Sequence, residues 1–151
     1  MTVSFHCSTE TSMPLEQLFD RARSIDAHTQ SMAASREQAV GGVTSGLIEA
    51  GQEVTWRAWH FGLPLRMTSR ITAMDPPCSF VDEQVRGPFK SFRHVHGFSR
   101  RDGVTTMVDH IEFAAPFGPL GRIVEKLVLA RYLRNLIETR NRHLVSSHAG
   151  S

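Results

Sequence analysis

The chain has 151 residues, a length that suits one domain able to bury a core without metal or disulfide support. Seventeen Lys and Arg against 15 Asp and Glu give a formal net charge of +2 with dispersed basic residues, which argues against a nucleic-acid partner. Cys7 and Cys78 lack zinc-type spacing and predict two small buried thiols, and no segment approaches ~20 uninterrupted apolar residues. We therefore expect one cytoplasmic domain over 1–151, with no transmembrane segment and no cofactor.

The first third of the chain predicts a strand, two short helices and a weaker strand. Residues 2–9 alternate polar and apolar side chains, and the apolar set would face inward: Val3, Phe5 and Cys7. Ser12 is expected to cap a first helix, and Asp26 a second short helix that ends near Ala34. A weaker strand over about 36–44 then leads into the main sheet.

Between Gln52 and Phe113 the sequence predicts amphipathic strands joined by tight turns. Three turn signals set the strand pairing: Gly62-Leu63, Gly87-Pro88 and Asp102-Gly103. Side chains directly opposite each other in an antiparallel pair share a face, so each turn assigns the faces of two strands, and an error of one residue would invert a strand. Pro76-Pro77 is expected to separate the fourth strand from the fifth.

The predicted registers place most apolar side chains of these strands on one inward face. In the first hairpin that face carries Val54, Trp56, Ala58, His60, Leu65, Met67, Ser69 and Ile71. The second hairpin would put Glu83 inward beside His94, with Asp82 on the outer face opposite Arg93. In the third hairpin the predicted register pairs Phe98 with Met107, His96 with Asp109, and His94 with Ile111. His96 and Asp109 would therefore be direct neighbours.

The C-terminal part of the chain predicts one long amphipathic helix. It would run from about Leu120 to Leu144, with a buried stripe formed by Ile123, Leu127, Ala130, Leu133 and Ile137. Near its end, Arg140 and Asn141 could cap the helix carbonyls or tie the helix to the sheet, and the small polar residues 146–151 are expected to fray. The complete order predicts an α+β fold in which a curved antiparallel sheet of about seven strands wraps around the terminal helix, with two short helices after the first strand.

Seven short segments carry a resemblance that spans almost the whole chain: Thr55-Trp56-Arg57, His60-Phe61-Gly62, Phe80–Gln84, Gly87-Pro88-Phe89, His94–Phe98, Pro116–Gly121 and Arg140-Asn141. They resemble the START-like, or SRPBCC, helix-grip superfamily of polyketide cyclases, lipid-transfer domains and related ligand carriers. Within it they are most similar to a bacterial subgroup without an assigned role, some members of which are labelled cell-division inhibitors. The resemblance implies a deep cavity between the sheet and the long helix, but the superfamily includes carriers and enzymes, so the fold does not fix the function.

Polar residues on the predicted apolar face are the candidates for chemistry. His94 and His96, two positions apart on a strand, would point the same way with ~6.5–7 Å between their Cα atoms. They could be histidines that brace the cavity wall through cross-strand carboxylates, or they could recognise a ligand. A metal held by this pair with Asp109 or Glu83 is a weaker alternative, and we expect none. In an enzyme, Asp109 would orient His96 for proton transfer.

The sequence therefore favours binding of a small hydrophobic molecule that is lipid-like, quinone-like or polyketide-like. The predicted ligand-binding residues are Trp56, His60, Met67, Glu83, Phe92, His94, His96, Phe98, Met107, Asp109, Ile111 and Leu127. Two alternatives stay open: a cyclase or dehydratase that uses His96 and Asp109 as catalytic residues, and a protein-interaction or regulatory module. Trp59 and Phe61 fall on the outer face, where they could be covered by arginine side chains or mark a homodimer interface.

Overall fold

The computed structural model describes residues 2–115 and 128–149. In this part of the chain, seven strands form one antiparallel sheet: β1 (Val3–Thr11), β2 (Gln38–Gly42), β3 (Glu53–His60), β4 (Leu63–Asp75), β5 (Ser79–Arg86), β6 (Ser91–Arg101) and β7 (Val104–Ala114). Two short helices follow β1, α1 (Leu15–Ala22) and α2 (Ile25–Ser31), and a long helix, α3 (Ala130–Ala149), follows the sheet. The strand order β1-β7-β6-β5-β4-β3-β2 confirms the predicted α+β helix-grip architecture.

The two short helices begin differently from the sequence prediction. Helix α1 starts after Pro14 without a side-chain cap, so the expected cap at Ser12 is wrong. Helix α2 is capped by Ser24, whose extended backbone lets its hydroxyl accept from the Ala27 N–H at 3.1 Å. Asp26 therefore lies inside the first turn, where its carboxylate accepts from the Gly46 N–H at 2.9 Å. The helix ends at Ser31, and a separate 3-10 turn over Ala33–Ser35 replaces the last predicted turn.

The first hairpin keeps its predicted faces although its register differs. His60 pairs with Leu63, and the turn consists of Phe61 and Gly62, with φ values of 54° and 74°. Two successive positive φ angles are typical of the mirror-image turns that fit the twist of two-residue hairpins. The pairing is displaced by two residues from the predicted one, and because side chains alternate with a period of two, the inward set is unchanged.

The second hairpin is displaced by one residue, and the faces of β5 are consequently inverted. Glu83 pairs with Arg93 and Asp82 with His94, so the predicted inward position of Glu83 is wrong. Glu83 lies on the outer face, where its carboxylate is 3.7 Å from Arg93. The loop is longer than the predicted turn because Gln84 closes it. Its side-chain amide donates to the Phe89 carbonyl at 2.8 Å and accepts from the Phe89 N–H at 3.2 Å.

The third hairpin confirms its predicted register and faces, and β1 confirms its predicted inward face, with Phe5 and Cys7 buried. Asp102 and Gly103 form the turn with φ values of 52° and 79°, and His96 pairs with Asp109. β1 lies beside β7 and places Cys7 opposite Asp109. Cys7 is buried as expected, whereas Cys78 is exposed in the turn between β4 and β5, contrary to the prediction.

Two apolar clusters hold the layers together. One packs α1 and α2 on the inner face of the sheet, with Leu18, Phe19 and Met107 almost fully buried. The other lies between β1, β7 and α3 and contains Phe5, Cys7, Ile111 and Phe113, against which Leu133 and Ile137 of the predicted stripe pack. Ile123 and Leu127 of that stripe lie outside the described residues. Helix α3 continues to Ala149, beyond the predicted end at Leu144.

Candidate functional site

A cavity of about 440 Å³ lies between the inner face of the sheet and α3. Apolar side chains from five strands, the β2–β3 loop, α2 and α3 line most of its wall: Ile25, Ile48, Trp56, Met67, Ile71, Phe80, Phe92, Ile111, Leu133 and Ile137. Its volume falls in the range of about 300–1,000 Å³ that is usual for small-molecule sites. The volume and lining thus suit a compact apolar molecule.

The structure places the predicted ligand-binding residues in five different ways. Seven of them line the cavity: Trp56, His60, Met67, Phe92, His94, His96 and Ile111. Phe98 and Met107 face inward but pack against Phe19 and its neighbours in the core, so they do not line it. Asp109 is completely buried behind the wall, and Glu83 is on the outer face. Leu127 lies outside the described residues.

The polar end of the cavity wall is formed by Asp82, His94, His96 and Arg140. The one-residue displacement of the second hairpin turns Asp82 inward, in place of the predicted Glu83. The Asp82 side chain lines the cavity and is 21 % exposed. Burial alone would raise the pKa of Asp82, but the hydrogen bond from His96 and nearby positive charge outweigh it and lower the pKa. A carboxylate therefore faces the cavity at neutral pH.

Asp109 anchors this group from behind. Its Oδ1 accepts from Arg140 Nη2 and from His94 Nε2, both at 2.7 Å, and its Oδ2 accepts from Asn141 Nδ2 at 2.7 Å. Burial would raise the pKa of Asp109, but the Arg140 guanidinium and the hydrogen bond from His94 hold it well below its usual value. Asp109 is thus an ionised, hydrogen-bonded residue that ties α3 to β7, and no part of it is exposed to the cavity.

His94 is held in one tautomer by Asp109. Because the carboxylate is ionised, His94 Nε2 must carry the proton of their hydrogen bond. Burial, followed by the nearby His96, lowers the pKa of His94 to about 4, so the ring is neutral at pH 7. Its Nδ1 therefore bears a lone pair, and no described residue donates a hydrogen bond to it. His94 can consequently act as an acceptor for a group inside the cavity.

His96 is enclosed more tightly than its neighbour. Its ring stacks between His94 and Phe80, with centroid separations of 3.7 Å and 4.0 Å. His96 Nε2 donates to Asp82 Oδ2 at 2.7 Å, while its Nδ1 lies 3.3 Å from Asp109 Oδ1 without reaching hydrogen-bond geometry. With only 2 % of its surface exposed, His96 positions Asp82 and contributes little surface of its own to the cavity.

The geometry of the two histidines argues against a shared metal ion. One oxygen of Asp82 and one nitrogen from each ring of His94 and His96 lie within 4.8 Å of one another, which is a possible ligand set. However, imidazole lone pairs lie in the ring plane, and the two planes are stacked only 19° from parallel. Two such lone pairs do not converge on a point about 2.0–2.1 Å from both nitrogens, as zinc requires. The residues present therefore do not fit a common ion unless a ring turns.

A second polar group lies along the wall near the β3–β4 hairpin. His60 Nδ1 shares a hydrogen bond with the Tyr132 hydroxyl at 2.7 Å, and burial lowers the pKa of His60. His28 Nε2 lies 2.7 Å from Glu37, and the His28 ring is 4.3 Å from that of Trp56. The hydrogen bond of His60 joins the hairpin to α3, in keeping with a bracing role at this end of the cavity.

Part of the site differs from the sequence prediction for identifiable reasons. Asp82 was assigned to the outer face by a turn that is too short, and the signal that could have corrected it is Gln84, a residue suited to closing a wider loop. Arg140 and Asn141 were expected either to cap α3 or to tie it to the sheet, and the structure shows the second role. Tyr132 had no local signal, because its partner is 72 positions away.

Comparisons with solved structures show the same fold in proteins of low sequence identity. A Thermus thermophilus protein, TTHA0849, aligns with a TM-score of 0.74 and 13 % identity over 96 % of this chain and 99 % of its own. Protein Ms6760 from Mycobacterium smegmatis gives 0.71 and 15 % over 97 % and 91 %. Ginseng major latex-like protein 151 from Panax ginseng gives 0.68 and 14 %, covering 97 % of both chains. No protein-family model matches the sequence, and no curated protein matches it significantly.

Proposed function

We propose, starting from the helix-grip fold that this chain shares with the START-like, or SRPBCC, superfamily, that the protein binds a small hydrophobic molecule between its sheet and α3. The observation that carries the proposal is the cavity of about 440 Å³, with apolar walls and one polar end. Apolar lining supplies affinity through burial, and a few convergent polar groups fix the orientation of a ligand. Among the described residues, no helix combines the length and apolar character needed to cross a membrane.

Uptake of an uncharged fluorescent probe tests this proposal. N-phenyl-1-naphthylamine gains fluorescence when it leaves water, and the wild-type protein should bind it at one site. Ala58 lines the cavity and is 5 % exposed, so Ala58→Trp should fill the space and reduce binding at least about tenfold. Ala73→Trp introduces the same side chain on an exposed part of β4 and should bind the probe normally.

The outcome of this comparison is interpretable only for folded variants, so thermal unfolding accompanies each titration. Equal probe binding by the two folded variants would show that the probe sits elsewhere and would remove support for the cavity as the site. Failure of the wild-type protein to bind the probe would point the same way. Extraction of the freshly purified protein followed by mass spectrometry would then identify any molecule that it already carries.

A second candidate function is acid–base catalysis on a bound carbonyl compound, and one observation favours it. Asp109 fixes the His94 tautomer and leaves Nδ1 unpartnered, which is the arrangement by which a carboxylate prepares an imidazole to accept a proton. The candidate base is then His94, whereas the sequence pointed to His96. A bound compound recovered unchanged after incubation would support a carrier. Conversion to a product by wild type, but not by His94→Gln, would support the enzyme.

A further inference from the structure

Positive and negative charges are not balanced at the polar end of the cavity. Asp82 and Asp109 are both ionised, His94 is neutral, and Arg140 is the cation that contacts Asp109 directly. Arg140 is therefore already matched by Asp109, while Asp82 is held by one hydrogen bond from His96. Of the two carboxylates at this end, Asp82, which lines the cavity, is therefore less compensated by positive charge than Asp109.

The unused hydrogen-bonding atoms at this end are mainly acceptors. The second oxygen of Asp82 and Nδ1 of His94 receive no hydrogen bond from any described residue. Arg140 uses Nη2 and Nε on Asp109 and Asn141, which leaves Nη1 as a donor. Two acceptors and one donor match a group that both donates and accepts, such as a hydroxyl.

We propose that the cavity takes ligands with an uncharged hydroxyl head group, a phenol or an alcohol, and discriminates against carboxylates of the same shape. This proposal rests on the proposed binding function and names the ligand chemistry. A hydroxyl would donate to Asp82 or His94 and accept from Arg140. A carboxylate has no proton to donate, and it would add a negative charge beside Asp82 in a cavity whose walls are mostly apolar.

The remaining cations of the cavity wall do not change this balance. Arg23 is paired with Asp20 and Glu49, at 2.8 Å and 2.6 Å. Arg66 lies on β4 with its side chain exposed to solvent, where a charge is screened. Neither of them contacts Asp82, so a ligand carboxylate at the polar end would find no spare cation there.

Three ligands with the same apolar body test the proposal: 4-pentylphenol, 4-pentylbenzoate and pentylbenzene. At pH 7.5 a phenol is neutral and a benzoate is ionised. Each would compete with N-phenyl-1-naphthylamine for the wild-type protein. We expect the phenol to bind about tenfold more tightly than pentylbenzene, as one good hydrogen bond allows, and the benzoate to bind more weakly than both.

Two variants separate the polar end from the general charge of the protein. Asp82→Asn removes the cavity carboxylate but can still accept a hydrogen bond from His96. It should reduce the ratio of the phenol affinity to the benzoate affinity at least about tenfold. Glu83→Gln removes the same charge from the next residue, on the outer face, and should keep the wild-type order. Thermal unfolding of both variants shows whether the fold is intact.

The outcomes distinguish this proposal from the binding function beneath it. Suppose that the wild-type protein binds the probe but binds the benzoate as tightly as the phenol, or more tightly. This result would overturn the hydroxyl selectivity while leaving the cavity as a binding site. The same is true if Glu83→Gln changes the order as much as Asp82→Asn. Absence of probe binding to wild type would instead contradict the binding function itself. The wild-type series alone decides the selectivity if Asp82→Asn does not fold.

Discussion

Replacing Asp109 by Asn should destabilise the protein far more than the small change in shape suggests. The carboxylate accepts three hydrogen bonds of 2.7 Å, from Arg140, Asn141 and His94, and it is fully buried. The amide of an Asn would turn one acceptor into a donor, which would face another donor, and Arg140 would lose its counter-charge while only 3 % exposed. Removal of one partner from a buried ion pair costs about 3–5 kcal/mol.

That cost can be measured by urea or thermal unfolding. For a chain of this size, each kcal/mol corresponds to about 2–4 °C in Tm, so the variant should melt about 6–20 °C below wild type. Asp102→Asn provides a matched control, because Asp102 is 91 % exposed in the β6–β7 turn and has a φ of 52° that Asn tolerates. Its free energy of unfolding should change by less than about 0.5 kcal/mol.

A double variant tests the assigned cause. If the main penalty is an unmatched guanidinium, then Arg140→Met in the Asp109→Asn background should cost less than it does in the wild type. A loss of under about 1 kcal/mol for Asp109→Asn alone would refute the reasoning, since it would show that Arg140 finds water or another partner at little cost. Strict additivity of the two substitutions would refute it as well.

Three further predictions concern other parts of the molecule. The pKa of His94 is about 4 when folded and about 6.5 when unfolded, so protons bind preferentially to the unfolded chain as the pH falls from 6.5 to 4. Between pH 6.5 and pH 4, the free energy of unfolding of the wild type should fall by about 3 kcal/mol more than that of His94→Gln, as measured by urea unfolding at these two pH values. Gly42→Ala should destabilise the fold more than Gly46→Ala, because both have positive φ but only the Cβ at 42 would collide with backbone, at the Glu53 carbonyl oxygen; equal melting temperatures of the two variants would contradict this. Gln84→Ala should cost about 1–2 kcal/mol through its two hydrogen bonds to the β5–β6 loop, and an unchanged melting temperature would show that this loop closes without them.

The three hairpins show which register errors leave the predicted faces of a sheet correct. In the first hairpin the predicted pairing was displaced by two residues, and every face remained correct because side chains alternate with a period of two. In the second the displacement was one residue, and Asp82 and Glu83 exchanged sides. The third was correct, since Asp-Gly specifies a two-residue turn. The site prediction therefore depended on loop length.

The contacts between α3 and the sheet were harder to predict for a different reason. Asp109 and Arg140 are 31 positions apart, and no local pattern indicates which turn of the helix lies above which position of the strand. The sequence identified Arg140 and Asn141 as residues that could tie the helix to the sheet. Their partner, Asp109, can be identified only from the packing of the complete helix on the complete sheet, because this packing determines the long-range polar contacts.

Hydrogen-bonding capacity divides the polar group into an anchor and a recognition surface. A carboxylate has about four lone-pair sites. Asp109 uses three of them for strong hydrogen bonds and has His96 Nδ1 at 3.3 Å, so it has little left for a ligand. Asp82 accepts one hydrogen bond from a described side chain and faces the cavity. It follows that Asp82→Asn should affect ligand binding more than stability, and Asp109→Asn the reverse. If unfolding and probe titrations of both variants instead change stability and binding in the same proportion, the two carboxylates act as one unit.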